Sequence, residues 1–115
     1  MKDEVRAHLH DVLLAGRAVK RFVAGRAFAD YDTDEQLRSA VERKFEIMGE
    51  ALNRIRRDEP EILQRIRDHR DIISFRNILV HGYDDVQIDI VEDVVRHHLG
   101  DLDEFVAGVS RYIAG

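Results

Sequence analysis

The sequence predicts an all-α protein, an antiparallel up-and-down bundle of four main helices and one short helix. Three observations favour this class. Apolar residues recur at spacings of three and four through most of the chain, and the β-branched runs are short and embedded in that helical period. In addition, 36% of the residues are charged and only one is proline, a composition typical of helices with ionic outer faces.

The first helix is predicted from about Asp3 to Val23, where the apolar spacings alternate between four and three. Gly25 is a natural stop for this helix. Phe28 and Tyr31, which follow it, are placed in a loop.

The second helix is predicted to open at Thr33, which forms a capping-box pattern with Gln36, and to reach about Arg57. Its apolar stripe consists of Val41, Phe45, Met48, Leu52 and Ile55. Gly49 interrupts this helix at a cost of about 1 kcal/mol relative to Ala. Close approach of another helix, within the bundle or at a dimer seam, would explain the glycine.

Pro60 suits the first turn of a short third helix that is predicted to end at Asp68. Residues 70–81 are apolar around much of the circumference, so this helix is predicted to be buried on several sides, with Gly82 as its stop. Two further helices are predicted, from Ile88 to Leu99 and from Leu102 to Ile113.

The length and composition limit the kinds of function that this chain can have. A chain of 115 residues fits a single domain, residues 1–115. It has no cysteine, which suits a reducing cytoplasm and excludes thiolate metal sites. No apolar run approaches the roughly 20 residues of a membrane span. The charged N-terminus does not resemble a signal peptide.

The net charge of −5 argues weakly against nucleic-acid binding, but the charge is unevenly distributed. Residues 38–76 carry ten Lys or Arg and eight Asp or Glu, whereas residues 84–104 carry eight acids and one arginine. A nucleic acid would therefore meet a local basic face.

The segment from Arg76 to Tyr83, RNILVHGY, contains the strongest candidate for a functional site. On a helix, residues five apart differ by about 140° and ~7.5 Å along the axis, so Arg76 and His81 do not stack. Asn77 and His81, four apart, share a face. A long arginine side chain could still reach that face. His81 could then accept a proton from a ribose 2′-hydroxyl while Arg76 holds the phosphate. Asn77 could fix the imidazole tautomer or contact the ribose.

On spacing alone, a structural explanation is favoured. His81 would be a helix-end histidine stabilised by the macrodipole, and Arg76 would form an ordinary salt bridge. Tyr83 would be a packing residue at the end of the helix.

Two segments together favour the functional explanation over the structural one. Residues Phe75 to Tyr83 closely resemble the R-N-x-x-x-H-x-Y pattern of ribonucleases of the HEPN superfamily, specifically the HepT-like toxins. Residues Ala40 to Leu52 look like the second-helix segment of that family. Both matches come in the expected order in a chain of the expected size.

The resemblance implies an all-helical homodimer that acts as a metal-independent endoribonuclease toxin without a cofactor. By this likeness Arg76 and His81 are the catalytic pair in a cleft between the subunits, supported by Asn77. The family's partner is an antitoxin of the MntA type, a small nucleotidyltransferase that transfers AMP to the motif tyrosine. Tyr83 is that tyrosine here, and the added charge and bulk would block the place of an RNA phosphate.

Other clusters are given smaller roles. Glu42, Glu46 and Glu50 share a helical face, but no histidine follows at di-metal spacing, so no metal site is predicted. The row is expected to be partly solvated, with Glu50 paired to Arg54, and Glu46 or Glu50 is a possible orienting partner of Arg76.

His8 and His10 lie on different faces and are predicted to be surface residues. The cluster of Arg54, Arg56 and Arg57 is the first candidate for RNA-backbone contact outside the active site. Two alternatives to the nuclease remain: a non-catalytic HEPN-type module that binds a nucleotidyltransferase, and a plain helical dimerisation protein.

Overall fold

The structure, a computed structural model, describes residues 2–66, 69–81, 104 and 106–114, apart from the side chains of Phe28, Asp32, Ile78 and His81. In chain order, its helices are α1, Asp3–Val23; α2, Phe28–Thr33; α3, Glu35–Asp58; α4, Pro60–Leu63; and α5, His69–His81. A C-terminal helix spans residues 106–114. The described residues include no β-strand, which confirms the predicted all-α class.

Helix α1 has the predicted bounds. Its buried stripe includes Val5, Leu9 and Val12, none of which has any exposed surface. Acidic residues occupy its first turn and basic residues its last turn, which complements the helix dipole. Gly25 follows with a φ of 71°, the left-handed conformation that glycine adopts without strain.

The loop predicted around Phe28 and Tyr31 is wrong, because these residues belong to the short helix α2. Tyr31 is 1% exposed and its hydroxyl donates a hydrogen bond to Oε1 of Glu42 at 3.4 Å. Burial of this aromatic ring against α3 favours a helical turn in a segment that is too short to show a helical period in the sequence.

The capping box predicted at Thr33 and Gln36 is also wrong, since the N-cap of α3 is Asp34. The Asp34 carboxylate accepts a hydrogen bond from the backbone N–H of Leu37 at 3.1 Å. The hydroxyl of Thr33 instead donates to the carbonyl of Ala29 within α2 at 3.0 Å. Arg26 pairs with Asp34 at 2.8 Å, and this bond, with that from Leu37, lowers the pKa of the carboxyl.

Helices α1 and α3 are antiparallel. The backbone N–H of Lys2 donates to Oε1 of Glu59 at 2.8 Å, so the start of α1 lies at the end of α3. Further along, Gly16 lies near Met48. The predicted apolar stripe of α3 forms the centre of the core, and all five of its members have no exposed surface. Phe45 packs edge-on against Phe75 of α5, with ring centroids 5.5 Å apart.

The short helix α4 ends at Leu63, earlier than predicted, and a turn continues to Ile66. Helix α5 begins at His69, one residue before the predicted start. Most of its apolar residues are buried, but Val80 is 44% exposed, so burial is less complete than the sequence predicted.

The C-terminal helix 106–114 agrees with the latter part of the predicted segment from Leu102 to Ile113. Val106 and Val109 are buried, and Val106 packs on Gly16 of α1. The predicted stop at Gly82 and the predicted helix from Ile88 to Leu99 lie outside the described residues. No helix in the described part combines the length and apolar character needed to cross a membrane.

Candidate active site

Arg76 lies on α5 where this helix packs against Gly49 of α3. A Cβ atom at Gly49 would overlap the Cβ of Arg76 and would lie 3.0 Å from the carbonyl oxygen of Ile72. Only glycine allows this approach, so the sequence-based expectation of a close helix contact at Gly49 is met within the bundle. The crossing brings the Arg76 side chain next to the following residue of α3, Glu50.

Glu50 connects two arginines from different helices. Its Oε2 lies 2.7 Å from Nη2 of Arg76, and its Oε1 lies 3.2 Å from Nε of Arg54, one turn further along α3. The predicted pair of Glu50 with Arg54 is therefore confirmed. Glu46 lies 3.3 Å from Nη1 of Arg43. Of the two possible orienting glutamates, Glu50 is the one paired with Arg76.

Asn77 holds the other end of the same guanidinium. Nη1 of Arg76 donates a hydrogen bond to Oδ1 of Asn77 at 3.1 Å. A guanidinium has five N–H donors in a rigid fork. The contacts with Glu50 and Asn77 each use one donor, so the remaining three can donate hydrogen bonds to an anion. The Arg76 side chain is 21% exposed, so solvent and ligands can reach it.

A groove with a volume of about 320 Å³ runs between α1, α3 and α5 beside this guanidinium. Its walls carry three arginines, three carboxylates, one histidine and three apolar residues. These are Arg43, Arg54, Arg76, Asp11, Glu46, Glu50, His8, Ile47, Ala51 and Val80.

His81 is the last residue of α5, and its side chain lies outside the described part of the structure, as does Tyr83. The backbone helix is continuous from Arg76 to His81. The prediction that Asn77 and His81 share a face depends on that continuity. The catalytic roles of Arg76, Asn77 and His81, and the modification of Tyr83, stay predictions.

The glutamate row of α3 is less uniform than the sequence predicted. Glu46 and Glu50 are half-buried, whereas Glu42 is 8% exposed and receives the hydroxyl of Tyr31. The prediction of a partly solvated row is wrong for Glu42, because α2 covers the start of α3. Glu42 is therefore buried between α2 and α3, and only Glu46 and Glu50 line the groove.

The histidine pair and the arginine cluster identified in the sequence each contribute one residue to the groove. His8 is half-buried and lines the groove, whereas His10 is exposed. Sequence reasoning placed both histidines on the surface and missed His8. The available signal was Asp11, which shares its helical face at a spacing of three. Of the arginine cluster, only Arg54 lines the groove.

The geometry can be compared with known proteins. The profile described as Ribonuclease HepT-like matches residues 12–109. The candidate RNase MJ1380 of Methanocaldococcus jannaschii is 32% identical over 82 residues, which cover 71% of this chain and 74% of that protein. The mRNA nuclease HepT of Shewanella oneidensis is 41% identical over 46 residues, which cover 39% of this chain and 35% of that protein.

A solved structure shows the same fold. It contains a tri-AMPylated HEPN toxin from Shewanella oneidensis in complex with an MNT antitoxin. The superposition has a TM-score of 0.61 and covers 96% of this chain and 99% of that chain, at 22% identity. The helical bundle described above is thus shared with that toxin.

Proposed function

This chain belongs to the HepT-like ribonuclease family, and from that premise we propose that it is a metal-independent endoribonuclease toxin acting in the cytoplasm. The observation that carries the proposal is the doubly held guanidinium of Arg76. Glu50 and Asn77 fix it from two sides and leave three N–H donors for an anion at the groove. A fixed arginine of this kind can bind a phosphate bidentately.

The proposed reaction is an internal transesterification of RNA. The 2′-oxygen attacks the adjacent phosphorus, the bond from phosphorus to the 5′-oxygen breaks, and a 2′,3′-cyclic phosphate and a 5′-hydroxyl result. His81 takes the proton of the 2′-hydroxyl, the departing 5′-oxygen takes up a proton from water, and the imidazolium returns its proton to the solvent. Arg76 stabilises the charge that develops on the phosphate. Asn77 contributes its amide to the ribose or to the imidazole.

We propose that the working form is a homodimer. The net charge is −5, and the three arginines of the groove are matched by three carboxylates. A single copy therefore offers no excess of positive charge. Two copies of Arg76 facing one cleft would concentrate positive potential where RNA binds. Light scattering at micromolar concentration tests this, and a monomeric mass contradicts it.

We further propose that an MntA-type nucleotidyltransferase antitoxin neutralises the toxin by transferring AMP to Tyr83. The structural neighbour is a tri-AMPylated HEPN toxin in complex with an MNT antitoxin. Tyr83 follows His81 by two residues. Nucleotidyl groups attached there add negative charge close to the proposed phosphate position and repel RNA.

The test is cleavage of RNA in the presence of EDTA. We expect wild-type protein to cleave, and Arg76→Ala and His81→Ala to lose at least about a hundredfold in rate, the usual contribution of a general base or an anion-stabilising group. His10→Ala is the matched control, because His10 is exposed and outside the groove. If the wild-type protein binds its antitoxin but leaves RNA intact, the non-catalytic module is the correct description.

A further inference from the structure

His8 is a histidine of the groove to which neither the sequence motif nor the proposed reaction gives a role. It projects from α1, half-buried, into the same 320 Å³ space as Arg76 and Arg54. Within the described part of the chain, no group forms a hydrogen bond or ion pair with its imidazole. Its ring nitrogens are therefore available to a ligand in the groove.

The charges around His8 come from all three helices that form the groove. These charged groups are Asp11 on α1, Arg43, Glu46, Glu50 and Arg54 on α3, and Arg76 on α5. Three are cationic and three are anionic, so they sum to zero near neutral pH. In general, carboxylates and guanidinium groups are charged near neutral pH, whereas the imidazole is the side chain whose charge commonly changes between about pH 5 and 8.

Among the groove residues that the structure describes, His8 therefore decides whether the net charge is zero or positive. A cationic groove attracts a phosphodiester backbone, and a neutral one does so less. Asp11 lies one helical turn away on the same face of α1 and lines the same groove. A cation on α1 would also lie opposite the three arginines that α3 and α5 contribute to the groove, so that a strand could be bound from both sides.

We propose that His8 binds the RNA phosphate backbone as an imidazolium, and that it makes substrate binding stronger as the pH falls. This inference rests on the proposed function, since it assigns a further contact with the same substrate. His8 acts in binding and is separate from the proton transfer given to His81.

The test measures binding of a 2′-O-methyl oligouridylate by fluorescence anisotropy at pH 5.5 and pH 8.5. This probe lacks the attacking hydroxyl, and uracil does not titrate in that range. The variants are His8→Gln and the matched control His10→Gln, whose imidazole is exposed two residues away. Both keep His81, so any titration of His81 affects all proteins equally.

At pH 5.5 we expect His8→Gln to bind about fivefold more weakly than wild type, the effect of one partly exposed ion pair. The slope of log K against log salt should become shallower by about 0.7, the value for one phosphate contact on a single strand. At pH 8.5 the two proteins should bind alike, and His10→Gln should match wild type at both pH values.

Equal binding by His8→Gln and wild type at pH 5.5 overturns the inference. An equal loss at both pH values also overturns it, because it indicates a structural role for His8. In both cases RNA cleavage by the wild-type protein leaves the proposed function intact. If wild type neither binds the probe nor cleaves RNA, the proposed function fails and this inference fails with it.

Discussion

Arg76 lies directly on Gly49, in the space that a side chain at position 49 would fill. At this contact the backbones of α5 and α3 come close together, and the Arg76 guanidinium reaches Glu50, the next residue of α3. The arginine is therefore positioned by a helix crossing as well as by its ion pair. Substitutions at either residue of α3 should change its position.

Gly49→Ala should displace α5 and reduce RNA cleavage. The added methyl group overlaps Arg76, and overpacking typically costs about 1–3 kcal/mol. Better helix propensity offsets roughly 1 kcal/mol of that cost. Thermal unfolding and cleavage rates measure the two effects. Gly108→Ala is the control, because among the described residues its Cβ would meet only Nη2 of Arg111, at 4.0 Å. An equal loss in both variants would contradict the account.

Glu50→Gln should lower kcat without raising KM. The amide keeps a hydrogen-bond acceptor but weakens the hold on Arg76, and misplacement of a catalytic group by about 1 Å can cost a hundredfold in rate. Loss of the negative charge does not weaken attraction of RNA to the groove. Glu46→Gln, which affects the pair with Arg43, serves as the control. A raised KM at unchanged kcat would show that Glu50 acts in binding alone.

Much of the fold follows from the sequence, and the exceptions have physical causes. The apolar residues spaced three and four apart in α1, and the apolar stripe of α3, extend over enough turns to define both helices. The six-residue helix α2 has no room for such a period, and it is held by burial of Tyr31. Thr33 and Asp34 are both residue types that suit an N-cap. In the structure the Thr33 hydroxyl donates to the carbonyl of Ala29, which leaves Asp34 as the N-cap of α3.

The candidate site was predictable in part. The motif contained Arg76 and Asn77, and the spacing of Glu50 and Arg54 gave one ion pair. The contact from Glu50 to Arg76 joins residues far apart in sequence, so no local spacing could select it over Glu46. His8 was missed because its place in the groove depends on the antiparallel packing of α1 on α3.

Asp34 should make the stability of the protein depend on pH at the acidic end. Its pKa is lowered by the hydrogen bond from Arg26 and by the backbone N–H of Leu37. A carboxyl with a lowered folded-state pKa stabilises the fold above its unfolded pKa of about 3.9, and this contribution is lost as the pH falls below that value.

Thermal unfolding between pH 2.5 and pH 7 tests this contribution. Asp34→Asn keeps a good capping side chain but has no charge to titrate, so its melting temperature should fall less steeply with acid than that of wild type. Asp34→Ala should be the less stable variant at pH 7, because it also loses the cap. Parallel acid profiles for wild type and Asp34→Asn would refute the assignment.

Tyr83→Phe should prevent neutralisation by the antitoxin. Intact-mass spectrometry after co-expression should show AMP adducts on the wild-type protein and none on the variant, because phenylalanine lacks the accepting hydroxyl. Tyr112→Phe, on the C-terminal helix, should keep the adducts. Adducts that persist in Tyr83→Phe would place the modification elsewhere.

The most direct test of the central claim is the chemistry of the ends left on RNA that wild-type protein has cut in EDTA. Attack by the 2′-hydroxyl predicts a 2′,3′-cyclic phosphate and a 5′-hydroxyl, with no cut at a position that carries a 2′-O-methyl group. A 5′-phosphate with a free 3′-hydroxyl, cleavage at the 2′-O-methyl position, or activity only after a divalent metal is restored would contradict the proposed mechanism.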